Sequence, residues 1–248
     1  MKRWTVLLLL SLLFVDAKNL TNGYDVYFSL FGRVASSDAK LYIDEEASTY
    51  AIEIYATSRG LANWVTGNAQ ERHTSMGRVV EGQLLPDHYI ADQFDDTQHR
   101  INEYRFDYEN RIVTKTSYTL QGKTQSGVST STLPYFPEND LTTLYFNLQK
   151  LIEKSDATEH RIPCAGSDDP QGIILVKVEN DTKDLRDSLE GKAGKKVRIV
   201  ANQKLYGSDK GQLFLNVAEG YNVNAGILKN VTWFGDVVLK QTYFRTKE

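Results

Sequence analysis

The sequence predicts a mainly β protein: a curved antiparallel sheet closing into a barrel-like or half-barrel domain, with one prominent amphipathic helix. Three observations predict it. Apolar residues alternate with a period of two along the N-terminal third of the chain, the pattern of half-buried strands. The composition holds 14 Tyr and 10 Phe against 5 Pro, and aromatic and β-branched side chains suit pleated surfaces. One stretch, Leu141 to Ile152, changes to helical spacing.

Residues 1–17 read as a signal peptide. Lys2 and Arg3 precede an apolar run from Trp4 to Val15, and Val15-Asp16-Ala17 offers small residues for cleavage before Lys18. The run is about a dozen residues, short of the ~20 a spanning helix needs, so no membrane span is expected after cleavage. Residues 18–248 are then expected to form a single β-rich barrel-like domain. Removing residues 1–17 takes away Lys2, Arg3 and Asp16, which leaves 27 basic and 31 acidic side chains, a net charge of −4. That balance speaks against a general nucleic-acid binder.

Tyr24, Val26, Phe28 and Leu30 alternate with Asp25, Tyr27 and Ser29 as a first strand. Ala39, Leu41 and Ile43 repeat the pattern, and Tyr50, Ile52, Ile54 and Ala56 repeat it again after the polar turn at 44–48. Three strands so joined form a meander. Around Arg59 to Val65 the spacing predicts a short helix carrying Trp64. Strands resume over 72–81 and 88–94, with a bend at Gly82 to Pro86 between them. Residues 100–108 and 112–120 form a hairpin about Glu109-Asn110. Lys123 to Leu133 is rich in Ser, Thr and Gly and reads as a polar loop.

The clearest element follows. Asn139 or Asp140 supplies an N-cap oxygen for unbonded helix amides. Leu141, Leu144, Tyr145, Leu148, Leu151 and Ile152 then fall on one stripe. Fully buried, six such side chains contribute on the order of 10 kcal/mol, an upper figure because the unfolded chain already hides some area. Beyond the helix the apolar segments 172–178, 197–205, 213–217, 227–234 and 237–244 read as strands, the last two as a hairpin about Gly235-Asp236. Ten or eleven strands are expected in all. The basic residues Lys192, Lys195, Lys196 and Arg198 read as a solvated loop.

Chemistry is sparse. The four His stand at 73, 88, 99 and 160, without the His-x-x-x-His spacing that puts two ligands on one helix face. There is no Gly-x-Ser-x-Gly elbow and no phosphate-binding glycine loop ahead of a helix. Cys164 is the single cysteine; it forms no internal disulfide, and it reads as a buried or loop thiol rather than a nucleophile, with His160 the nearest base in sequence. No catalytic residue, metal ligand or cofactor is expected.

The strings VVEGQLLPDHY from Val79, FDYENRIV from Phe106, NDLTTLYFNLQ from Asn139 and FGDVVLKQTYF from Phe234 carry a resemblance. In this order, over residues 22 to 246, the chain resembles the DUF3108 family of bacterial envelope proteins of unknown function. It departs from that pattern around Gly166 to Asp187. The resemblance implies a Gram-negative periplasmic protein with a curved, barrel-like antiparallel sheet. It brings no catalytic residues.

Three functions follow as expectations. The first is an exported, non-enzymatic periplasmic protein with a binding or interaction role in envelope assembly or maintenance, working through an envelope protein partner. The second is a lipocalin-like or lipoprotein-carrier-like binder of an apolar small molecule or lipid, with Trp64, Tyr145 and Leu148 lining its pocket, since barrel mouths are frequent ligand sites. The third is an enzyme acting on an envelope polymer. The sequence does not fix an oligomeric state.

Overall fold

The structure is a computed structural model that describes residues 17–28, 31–60, 67–122, 124–153, 157–167, 169–179, 189, 192–202, 211–231 and 235–247. The signal-peptide reading of 1–17 and the short helix carrying Trp64 therefore lie almost wholly outside the described residues.

Strand order in the sheet follows chain order with one break. β1 (Ala17–Phe28), β2 (Gly32–Asp44), β3 (Thr49–Ser58), β4 (Gln70–Val80), β5 (Gln83–Phe94), β6 (His99–Asp107), β7 (Ile112–Gln121) and β8 (Thr124–Thr132) run outward as one arm. On the other side of β1 come β15 (Gly235–Lys247), β14 (Asn222–Val231), β13 (Gln212–Ala218), β12 (Lys195–Val200), β11 (Ile173–Val178), β10 (Glu159–Ala165) and β9 (Asn139–Asp140). The two ends of the described chain thus meet in mid-sheet, where β1 pairs with β15 from Asn19↔Lys247 to Phe28↔Val237. All pairings are antiparallel except the two-residue β9–β10 contact. The edges β8 and β9 do not pair with each other, so the curved sheet is not closed by hydrogen bonds. The helix α1 (Leu141–Glu153) follows β9 directly and lies inside the curl.

The alternation read from the sequence sets the inner face: Ala39, Leu41, Ile43, Tyr50 and Ile52 are all buried. The helix has two buried sides rather than one. Leu144, Leu148 and Ile152 pack on Val197, Ile199, Leu215 and Val217 of the C-terminal arm. Phe146 packs on Leu20, Leu41, Tyr50 and Leu84 of the N-terminal arm. A trough covers a rod from both flanks, so a single stripe understates its burial. Near the helix start, Leu141 and Ala165 pack against Tyr89, Tyr104 and Phe106, which brings the inner end of the C-terminal arm beneath β5 and β6.

Several expectations are corrected. Residues 124–132 are an edge strand, not a loop. Nearly every side chain in it is exposed, so no apolar alternation marked it, and Ser and Thr serve an edge strand as well as a loop. Lys195, Lys196 and Arg198 belong to β12, where Val197 and Ile199 point inward, Lys196 and Arg198 outward, and Lys195 at the strand start reaches the Ile152 carbonyl at 3.5 Å. The bend expected at 82–86 is a two-residue turn at Glu81-Gly82, both with positive φ, after which β5 begins at once. Pro86 lies within that strand. A bulge at Met76/Gly77 accommodates it, and a Cβ on Gly77 would sit 2.0 Å from the Leu85 carbonyl oxygen. The hairpin at 109–110 is a four-residue loop between Asp107 and Ile112, held by the Asp107 carboxylate accepting from the Asn110 amide at 2.9 Å. Gly235 and Asp236 open β15 instead of forming its turn.

Candidate functional site

Polar anchors fix the helix in the trough. Asp140 is fully buried at its N-cap. Its Oδ1 accepts from the amides of Thr142 (2.7 Å) and Thr143 (2.9 Å) and from Thr142 Oγ1 (2.6 Å), and its Oδ2 accepts from Ser75 Oγ (2.6 Å). Burial pushes the Asp140 carboxyl above the usual aspartate range, and these bonds pull it partly back. Ser75 Oγ also meets Tyr50 Oη at 2.9 Å, so β3, β4 and the helix start form one chain of bonds. Two turns on, Asn147 Oδ1 accepts from the Leu84 amide (3.0 Å), while its Nδ2 donates to the Leu84 carbonyl (2.9 Å) and to Asn139 Oδ1 (2.9 Å). β6 pairs with β5 only from His88 onward. Asn147 therefore supplies the partner that Leu84 lacks on that side.

Beside the helix start the trough is not filled. A cavity of about 480 Å³ lies between α1 and both arms. Val26 and Ile54 line it from the N-terminal arm, Leu141, Tyr145 and Leu148 from the helix, and Leu215, among other aliphatic residues, from the C-terminal arm. The size falls within the ~300–1,000 Å³ of small-molecule sites. A second cavity, near Asn147, Lys150 and His160, holds only about 130 Å³.

Two of the three residues expected to line a pocket, Tyr145 and Leu148, border this cavity; Trp64 lies outside the described residues. Tyr145 Oη bonds to Tyr24 Oη, whose proton goes on to the Val223 carbonyl at 2.7 Å. Burial raises both phenols well above the ordinary tyrosine range, so both remain neutral donors.

Sequence reasoning passed over the cavity's polar corner. Glu71 and His73 of β4 stand two residues apart and so share the inner face, and Gln93 of β5 is the cross-strand partner of Glu71. Gln93 Nε2 donates to Glu71 Oε1 at 3.0 Å, His73 Nε2 lies 3.4 Å from Glu71 Oε2, and His73 Nδ1 lies 2.8 Å from Tyr89 Oη. The hydrogen bond from His73 holds the Glu71 carboxyl below the usual glutamate range. In the tautomer that turns Nε2–H of His73 toward Glu71, Nδ1 is placed to accept from the Tyr89 hydroxyl. The i, i+2 spacing of Glu71 and His73 was visible in the sequence; the cross-strand register was not.

Cys164 is fully buried, and burial pushes its thiol well above the ordinary range, away from a thiolate nucleophile. Among the described residues no group of three His, Cys, Asp or Glu side chains is placed to hold a metal ion. Among them, too, no helix is long and apolar enough to cross a membrane.

The profile of the family described as "Protein of unknown function (DUF3108)" matches residues 23–225. The chain belongs to the DUF3108 family. That match takes in the helix, the polar corner at Glu71 and most of the cavity wall, leaving β15 and the outer part of β14 beyond it. No curated protein matches the chain. Among solved structures, the DUF3108 chain is similar to a beta-barrel-like protein of domain of unknown function DUF1849 from Brucella abortus, with a TM-score of 0.51 and 8% identity over 94% of this chain and 98% of that one. At that identity the likeness shows the fold, a barrel-like curved sheet.

Proposed function

We propose that this DUF3108 chain is a non-enzymatic carrier of an apolar ligand, such as a lipid, in the bacterial periplasm, where it serves the cell envelope. One observation carries the reading: an apolar cavity of about 480 Å³ beside an otherwise tightly packed helix. Protein interiors are close-packed, and voids larger than a water molecule are few. A space of this size, walled by Leu, Ile and Val, stabilises an apolar guest better than it holds water. The N-terminal stretch at 1–17, with its basic start and apolar run, supports export.

The test is native mass spectrometry of the protein expressed with its own N-terminal segment and recovered from the periplasm without detergent. The expected spectrum shows an added mass that organic solvent extracts. Leu215→Trp, or the milder Leu228→Phe, fills the cavity from its C-terminal wall and should abolish the adduct while the circular dichroism stays that of a folded sheet. Wild-type protein carrying no added mass, and taking up none from lipid extracts, would end the carrier reading.

A further inference from the structure

The cavity's electrostatics narrow the ligand, given the carrier reading on which this inference rests. Glu71 is the one carboxylate among the described lining residues, and none of those residues is Lys or Arg. Strand alternation explains the second fact. Arg72, next to Glu71, turns to the outer face and lies 5.6 Å from the Tyr55 ring. Arg198, before the lining residue Ile199, meets Glu179 outside at 2.6 Å. Lys229, after Leu228, pairs with Asp236. Lys240, after Leu239, stands 4.9 Å from the Tyr27 ring. Arg59 donates to Ser36 Oγ at 2.7 Å, on the face opposite Ser37, which lines the cavity. Each of these cations borders a wall residue in sequence or in space and is turned away from the cavity.

What remains inside is an acceptor. The Glu71 side chain is 49% exposed, which places it at the cavity mouth. A carboxylate offers about four lone-pair positions. Gln93 and His73 occupy one on each oxygen. The remaining positions are open to donors. An anionic head would sit beside a like charge with no Lys or Arg among the described lining residues to offset it.

We infer that the cavity takes an amphiphile whose polar end donates hydrogen bonds to Glu71 and carries no negative charge. Acylglycerol hydroxyls or an alkylammonium fit this corner; a fatty-acid carboxylate or a phosphate monoester does not.

The experiment titrates the full mature protein, at pH 7.5 and low salt, with three probes of equal chain length: 1-lauroylglycerol, dodecylamine and laurate. Displacement of a neutral apolar dye, N-phenyl-1-naphthylamine, reports binding. Laurate is expected to bind at least about tenfold more weakly than either of the others. Glu71→Gln removes the like charge and half of the acceptor, so it should tighten laurate by about fivefold or more while 1-lauroylglycerol and dodecylamine both weaken. If laurate matches or beats the other two, or if Glu71→Gln leaves the ratio unmoved, the head assignment is wrong while the carrier reading stands. If the dye and all three probes fail to bind, the carrier reading falls and takes this inference with it.

Discussion

The two arms of the sheet hold the same helix by different physics. The N-terminal arm meets it with directional bonds: Tyr50–Ser75–Asp140 at the cap and Asn147 on the Leu84 backbone. The C-terminal arm meets it chiefly with aliphatic surface, Leu144, Leu148 and Ile152 on Val197, Ile199, Leu215 and Val217, and adds only two long bonds, Lys195 Nζ to the Ile152 carbonyl at 3.5 Å and the Tyr221 amide to Gln149 Oε1 at 3.3 Å. Hydrogen bonds in a low-dielectric interior fix position and register, because a lost partner leaves a buried polar group unpaired. Aliphatic contacts are non-directional and can shift without such a penalty. The cavity opens between the two kinds of wall, next to a helix that the first kind pins. A carrier has use for that division, one side holding position and the other adapting to a guest.

Truncating one helix side chain on each side gives the largest contrast. Phe146 is buried among packed N-terminal side chains, so Phe146→Ala leaves a new void and should cost about 4 kcal/mol. Leu148 is equally buried but already borders the cavity. Leu148→Ala enlarges an existing space and should cost about 2 kcal/mol, the low end of its class. Urea unfolding of both variants measures the difference, and an inverted order would break the comparison between a filled and an unfilled wall.

Next in size is the cap. Asp140→Ala strips the acceptor from two helix amides, from Thr142 Oγ1 and from Ser75 Oγ. The lost cap and the unpaired buried donors together should cost about 3 kcal/mol. Asp140→Asn keeps one acceptor oxygen and should recover at least half of that. If Asp140→Ala unfolds at the wild-type urea midpoint, the N-terminal arm does not pin the helix as described.

Much of this contrast was legible in the residues. Alternation at Ala39, Leu41 and Ile43 and the stripe from Leu141 to Ile152 gave the inner face and the rod, because burial on one side leaves a periodic trace. Phe146 and Asn147 escaped, since a helix covered on two flanks buries positions that a one-sided stripe assigns to water. β8 escaped because an exposed edge strand has no apolar face to display. Tyr145 and Leu148 were legible as pocket candidates from helical spacing, yet their neighbours Ile199 and Leu215 were not. Those come from strands more than 45 residues away, and the sheet's curl, not the chain's local pattern, brings them together. Glu71, His73 and Gln93 depend on β4–β5 register, which the bulge at Met76/Gly77 offsets by one residue.

The polar corner supplies the smallest effect and a distinct sign. Glu71 has its folded-state carboxyl below the ordinary glutamate range, chiefly through His73. Above that ordinary range both folded and unfolded chains are ionised there, and the stabilisation is fully present. As pH falls through it, the unfolded chain takes up the proton first, and the stabilisation is lost. Because the side chain is half exposed, the whole effect should stay under about 1 kcal/mol. Wild type should therefore exceed Glu71→Gln slightly in stability at pH 7, with the gap closing between about pH 5 and pH 3. Urea midpoints of the two proteins across that interval measure it. A gap that widens toward acid would mean that His73 does not hold Glu71 ionised. The corner would then lose the negative charge by which it is inferred to exclude laurate.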